Sequence, residues 1–173
     1  PNGVITHFYL PEAPAKDSRV ALHFIQQGDT LATLATDAKD KKDKLDVKKG
    51  LNTYVWDTRG ADAKRLEGMI LWSANLSGPK AVPGNYTVAL EAGGYIRNAD
   101  FKILPDPRAE ATVADMQAQY DFISGINATI NKAHEAIETI RSVNAKLAEF
   151  QKTYKDDAAQ KSLVASAKAL ADK

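Results

Sequence analysis

The sequence predicts an α+β fold in which a β-sandwich is followed by helices. Nine of the ten glycines and all seven prolines lie at or before residue 107, and these residues punctuate strands and turns. Beyond residue 107 the apolar residues recur every three or four positions, which is typical of a helix. Both observations place the change at Pro105–Asp106–Pro107. We therefore predict a β-sandwich domain over 1–104 and a helical arm or hairpin over 105–173.

Seven short runs rich in β-formers predict the strands of the first part. Gln27–Gly28–Asp29 and Gly93–Gly94 each join two runs in the manner of a β-hairpin. Seven strands in about 100 residues are typical of an immunoglobulin-like or fibronectin-like sandwich, and a barrel stays open as the alternative. The runs are Val4–Leu10, Val20–Gln26, Thr30–Thr36, Leu51–Asp57, Met69–Ser73, Asn85–Ala92 and Tyr95–Leu104.

A turn before the sixth strand supports the sandwich. Val82–Pro83–Gly84–Asn85 leads into Tyr86 at the start of an alternating run. A tyrosine at this place can point inward and donate its hydroxyl to the backbone a few residues upstream, which is the tyrosine corner of such sandwiches. The alternative interpretation is a tyrosine that merely suits a strand.

One long helix and one shorter helix are predicted beyond Pro107. Thr112 and Asp115 have the spacing of a capping box, with Asp in place of Glu. The apolar seam that follows runs to Tyr154 and predicts a helix roughly 60 Å long. Gly125 weakens this helix by about 1 kcal/mol relative to Ala. Asp156–Asp157 with Gln160 predicts a stop and a fresh N-cap for a second helix of about fifteen residues.

The long helix carries more apolar surface than the short helix can cover. Uncovered apolar area costs roughly 25 cal/mol per Å² in water, so something else must cover the rest. The sandwich, a second copy of the chain and further parts of a longer protein are the alternatives, and we favour the last two. The residues that we predict to carry this association are Ile123, Ile126, Ile130, Ile137, Ile140 and Leu147.

Composition excludes several classes of function. The net charge of the 173 residues is +1, which argues against a protein built to grip a phosphate backbone. The chain has no cysteine and so no disulfide, thiolate nucleophile or Cys-ligated zinc. Its longest apolar run, Met69–Trp72, is too short to span a bilayer. The chain starts at Pro1 without an initiator Met, and we interpret it as a piece of a longer protein.

No motif predicts catalysis, a cofactor or a metal site. His7, His23 and His134 lack the spacing of a metal-binding pair. Ser73, Ser77 and Ser124 lack a nucleophile elbow, and Gly93–Gly94 is a hairpin turn and not a phosphate-binding loop. A glycosidase needs two carboxylates that flank the glycosidic bond. Nothing in the sequence singles out such a pair among the acidic residues near the strand ends, which are Asp57, Asp62, Glu67, Glu91 and Asp100.

Two further patterns have both a functional and a structural interpretation. Trp56, Trp72, Tyr54 and Tyr95 form an aromatic platform for a sugar ring in one interpretation and part of the core in the other, which is the commoner role of strand aromatics. The run Lys39–Lys49 holds six Lys and three Asp. Interspersed Asp and the lack of aromatic residues favour a solvated connection over a polyanion site.

Several short motifs follow one another from roughly Ile5 to Arg141: Gly50–Asn52, Val55–Arg59, Leu71–Trp72, Gly78–Pro79, Pro83–Leu90, Phe101, Pro105–Arg108 and Asp115–Gln119. In this order they resemble the C-terminal region of bacterial secreted proteins that carry sortilin-like β-propellers with BNR-type repeats and are labelled glycosyl hydrolase-like. The motifs within Gly50–Arg59 and Pro83–Leu90 also resemble immunoglobulin-like domains of flagellar hook-capping proteins and fibronectin type III repeats.

The resemblance implies a non-catalytic accessory domain of a secreted or periplasmic protein. Any hydrolytic site of that family lies in the upstream propeller, so no catalytic residue is carried over. The implied partners are the rest of the parent chain, a second copy through the helical seam and, as an alternative function, a carbohydrate. Neither a nucleic acid nor a membrane is expected as a partner.

Overall fold

A computed structural model describes residues 3–15, 18–72 and 74–171. It confirms the α+β class, with strands first and helices after them. Within the described residues the strands are β1 (Val4–Leu10), β2 (Val20–Gln26), β3 (Asp29–Ala35), β4 (Gly50–Trp56), β5 (Gly84–Ala92) and β6 (Tyr95–Ile103). The helices are α1 (Val113–Thr153) and α2 (Lys161–Ala171), with short 3-10 turns at Lys41–Asp43 and Ala158–Gln160.

The strands form two antiparallel sheets. The smaller sheet pairs β1 with β4, and the larger has the order β3-β2-β5-β6. Gln27 and Gly28 have φ values of 52° and 92°, and Gly93 and Gly94 have φ values of 57° and 80°. Two consecutive residues with positive φ are what a tight hairpin needs, so both predicted hairpins are confirmed.

The two sheets share one apolar core, centred on Phe24 of β2. Its ring stacks on Trp56 of β4 with centroids 4.4 Å apart, so it joins the larger sheet to the smaller one. Tyr86 lies edge-on to Trp56, with centroids 6.2 Å apart. The same cluster includes Phe8 and Leu10 of β1, whose alternation with exposed residues puts every second side chain inside.

The predicted strand over Met69–Ser73 is wrong for the residues described, and Ser73 lies outside them. Residues 69–72 form no ladder, and six strands are found in the described chain instead of seven. Backbone groups here bond locally, from Met69 N to Leu66 O at 3.2 Å and from Ala74 N to Leu71 O at 2.7 Å. The N–H of Met69 and the carbonyl of Leu71 are thus used in local turns, and β-rich composition alone does not produce a strand.

The tyrosine corner is confirmed. The hydroxyl of Tyr86 donates a hydrogen bond of 2.5 Å to the carbonyl of Val82, four residues upstream. Tyr86 is 2% exposed, and burial raises the pKa of its hydroxyl to about 12. The bond satisfies a polar group that would otherwise be costly at this depth.

The capping box at the start of α1 is also confirmed. The carboxylate of Asp115 accepts from the backbone N–H of Thr112 at 2.9 Å, and the Thr112 hydroxyl accepts from the Asp115 N–H at 3.2 Å. Hydrogen bonds from the Thr112 hydroxyl and then from its N–H hold the pKa of Asp115 below its usual value. Asp157 accepts from Ala159 N at 2.9 Å and starts the turn that leads into α2.

The chain divides into two compact units. The first comprises Pro1–Ala63 and Asn75–Asn127, and the second comprises Lys64–Ala74 and Ala128–Lys173. The first unit therefore holds all described strands. The second holds a loop between β4 and β5 together with most of α1 and all of α2.

Candidate association surface

The predicted association residues lie along α1, and the structure leaves all six at least partly uncovered. Ile126, Ile137 and Ile140 are exposed, whereas Ile123, Ile130 and Leu147 are half-buried. Exposure reaches 58% at Ile140, which is unusual for a residue on the apolar side of a long helix. Sequence reasoning missed Phe122, which is 70% exposed, and did not include Val143, which is 43% exposed.

The exposed side of α1 lacks charge over the part that belongs to the second unit. At 100° per residue, the residues between 128 and 152 on this side occupy an arc of about 140°. None of them is acidic or basic, and eight of the eleven are Ile, Leu, Val or Ala. The arc comprises Thr129, Ile130, Ala133, Ala136, Ile137, Ile140, Val143, Asn144, Leu147, Ala148 and Gln151.

A loop of the second unit, residues 64–74, is fixed to the flank of α1 that borders this charge-free side. The backbone N–H of Lys64 donates to Asn131 Oδ1 at 2.6 Å, and its carbonyl accepts from His134 Nδ1 at 2.5 Å. Because a carbonyl cannot donate, Nδ1 must carry the proton. His134 is 8% exposed, so this bond satisfies a buried imidazole.

One salt bridge and one further hydrogen bond complete this attachment. Lys64 Nζ lies 2.5 Å from Glu138 Oε2, and this hydrogen bond raises the pKa of Lys64. Arg141 Nη1 donates to the carbonyl of Glu67 at 2.9 Å. The four contacts hold the loop at both its start and its middle.

The loop exposes two large apolar side chains at its tip. Ile70 is 75% exposed and Trp72 is 92% exposed. Trp72 also has a φ of 47°, a left-handed conformation that costs a bulky residue about 1–2 kcal/mol. Because the Trp72 side chain is almost fully exposed, packing within the chain does not offset that strain. We name Met69–Trp72 the loop tip.

The four aromatic residues that were predicted as a sugar-binding platform differ in exposure. Trp56 is buried and donates from Nε1 to the carbonyl of Arg59 at 2.8 Å, so it offers no face to a sugar. Tyr54 is half-buried. Tyr95 is exposed in the first unit, and Trp72 belongs to the second. Of the four predicted platform residues, only Trp72 and Tyr95 therefore present an open ring.

The histidines have separate partners. His7 Nδ1 lies 2.9 Å from Thr53 Oγ1. His23 bonds Thr33 through one nitrogen and Glu91 through the other, at 3.0 and 3.2 Å. Hydrogen bonds from His23 and then from Arg19 lower the pKa of Glu91. In the ranges that the structure describes, no three His, Asp or Glu residues converge as a metal site.

The lysine-rich segment is a connection between β3 and β4. Lys42 Nζ lies 2.6 Å from Asp62, and Leu45 anchors the segment in the core at 3% exposure. A cavity of about 370 Å³ lies beside β4, and the amide of Asn52 there is occupied by the backbone of Lys48. The cavity lining contains no catalytic pair: Asp46, Val47, Lys48, Leu51, Asn52 and Thr53.

Among the described helices, none is long and apolar enough to cross a bilayer. Comparison of the chain with protein-family models, with curated proteins and with solved structures finds no match.

Proposed function

We propose that the chain is a non-catalytic accessory domain whose helical arm mediates association with a second copy of the chain or with other parts of its parent protein. The observation that carries the proposal is the charge-free arc on α1, with Ile137 and Ile140 exposed to 37% and 58%. An arc wider than about 100° is what a helix normally turns toward a core or a partner. Its heptad-like spacing suits a second helix.

The proposal extends to the parent protein through the motif order alone. The motifs between Gly50 and Gln119 support a place in a secreted glycosyl hydrolase-like protein with an upstream β-propeller. Two antiparallel sheets around one core, together with the tyrosine corner at Tyr86, support an immunoglobulin-like or fibronectin-like sandwich as the type of the first unit. In this assignment the sandwich spaces or packs the propeller, and the helices bind the partner.

The association is tested by placing charge in the arc. We expect the unmodified chain to self-associate in sedimentation equilibrium and the double variant Ile130→Asp, Ile137→Asp to be a monomer, because a desolvated carboxylate opposes burial. The matched control, Ala128→Asp with Ser142→Asp, adds the same charge to the polar side of α1 and should associate normally. Unchanged sedimentation of the first variant, with unchanged circular dichroism, would contradict the proposal.

A carbohydrate-binding module is the second candidate, and one observation favours it. Trp72 presents an indole that is 92% exposed, as a stacking platform for a sugar ring requires. Titration calorimetry with cello-, xylo- and chito-oligosaccharides tests it. Binding that disappears in Trp72→Ala would support this function, and no heat with any of the three series would reject it.

A further inference from the structure

We propose that the loop tip Met69–Trp72 is the second half of the association surface and that Trp72 is its anchor against a second copy of the chain. This inference rests on the proposed function and adds a contributing element that lies outside the helical seam. Its starting observation is that two apolar parts of the second unit, the loop tip and the arc, both carry exposed side chains, among them Trp72 and Ile140.

The conformation of Trp72 points to a contact that its own chain does not supply. Its backbone is left-handed with φ 47°, and its ring is 92% exposed. Strained residues of this kind persist at binding sites, where the strain places a side chain for a partner. Tryptophan is also the residue most enriched among those that dominate binding energy at interfaces.

The loop is held in place before any partner binds. The backbone of Lys64 is bonded to Asn131 and His134, and Glu67 O is bonded to Arg141. A pre-ordered loop loses less conformational entropy on binding. These contacts at Lys64 and Glu67 therefore hold the loop, so that the loop tip is in position before a partner binds.

The attachment also makes the loop and the arc neighbours. In helical projection His134 and Arg141 lie about 60° and 40° from Ile137. Both residues therefore border the charge-free arc on the side where the loop is bonded. The loop tip and the arc can contribute to one continuous interface within the second unit.

The size of the arc argues for such a contribution. The 26 residues of α1 in the second unit, 128–153, span about 39 Å, and one side of a helix about 10 Å wide then offers on the order of 400 Å². A stable pair of proteins needs about 800 Å² from each partner. The helix alone falls short, and the loop tip adds apolar area where it is missing.

Charge favours a second copy as the occupant. An arc without charged residues requires a partner surface that is also without charge, and the same arc on another copy meets this requirement. A symmetric pair places one patch against its own equivalent. The net charge of +1 adds little repulsion between copies.

Two other occupants fit the tip less well. The neighbours of Trp72 within the tip are Met69, Ile70 and Leu71, which offer no side-chain hydrogen bonds to sugar hydroxyls. The tip also has no lysine or arginine, whereas stable anchoring to a bilayer usually takes a basic patch beside the apolar anchor. A protein surface remains the occupant that the tip suits.

Sedimentation equilibrium on the full chain tests the inference. We expect Trp72→Ala to weaken self-association at least tenfold, and Ile70→Ala with Trp72→Ala to weaken it further. The matched control is Tyr95→Ala, which removes an aromatic side chain that is 75% exposed on the first unit and should leave the dissociation constant unchanged. Circular dichroism checks that every variant is folded.

The outcomes separate this inference from the function on which it rests. If the unmodified chain is a monomer at every concentration, the proposed self-association fails. If Ile130→Asp with Ile137→Asp dissociates the chains while Trp72→Ala binds as tightly as the unmodified chain, only the inference fails. Flotation of the monomer with phosphatidylcholine–phosphatidylglycerol vesicles, lost in Trp72→Ala, would overturn it in favour of a lipid surface.

Discussion

At the scale of single residues, Tyr86 illustrates a contact that a local sequence pattern predicts. Its hydroxyl is buried and has one backbone acceptor, the carbonyl of Val82. The turn Val82–Pro83–Gly84–Asn85 and the strand alternation made this contact predictable, because the motif is local and needs no distant partner. The 92% exposure of Trp72 was not predictable, because burial of an apolar side chain depends on what packs over it.

Tyr86→Phe is expected to lower the free energy of unfolding by about 1–2 kcal/mol, since the Val82 carbonyl loses its donor. The effect should depend on pH. The raised pKa of Tyr86, about 12, gives stability that is present below the unfolded value near 10 and is lost as pH rises through 12. Urea denaturation at pH 8 and pH 11 measures both variants, and the difference between them should shrink at the higher pH. An equal difference at both pH values would contradict this.

At the scale of elements, the helix boundaries follow from local side-chain chemistry. Thr112 with Asp115 and Asp157 with Ala159 bond as their spacing predicts. The conformation of the loop over 64–74 could not be predicted in this way. Its apolar run resembles a strand, yet its carbonyls bond to His134 and Arg141, 70 and 74 residues away along the chain. No local pattern reveals such distant partners.

His134→Ala is expected to release the loop from α1, because the part-buried hydrogen bond from His134 to the carbonyl of Lys64 is lost at a cost of about 0.5–1.5 kcal/mol. Trypsin cleaves after Lys and Arg, so cleavage after Lys64 and Arg65 should become faster in native buffer. Mass spectrometry of the digest locates the cuts. His7→Ala, which changes an exposed histidine, is the control, and His134→Gln should restore part of the protection. Equal cleavage rates in all variants would show that His134 does not hold the loop.

At the scale of the whole molecule, composition and periodicity were enough for the class α+β and for the order of strands before helices. They did not give the strand count or the arrangement of two and four strands, since pairing between distant strands leaves no local signal. The core that results is joined across the sheets by the stacked rings of Phe24 and Trp56. The stability of the first unit should therefore be sensitive to this pair.

Phe24→Ala is expected to destabilise the first unit by about 3–5 kcal/mol, because Phe24 is fully buried and the substitution leaves a cavity. This is a large share of the roughly 5–15 kcal/mol of a typical domain. Urea denaturation followed by circular dichroism measures the shift in midpoint. Tyr95→Ala, at an exposed position of the larger sheet, should change stability by less than about 0.5 kcal/mol. A midpoint for Phe24→Ala within error of the unmodified chain would contradict the assignment of the core.

The two tryptophans differ in solvent exposure. Trp56 is 2% exposed and Trp72 is 92% exposed, and each belongs to a different unit. Their fluorescence should therefore consist of a blue component that iodide cannot quench and a red component that it quenches readily. Loss of the blue component reports opening of the core, and protection of the red component reports that something has covered the loop. A single cuvette can thus follow folding and binding independently, without any added label.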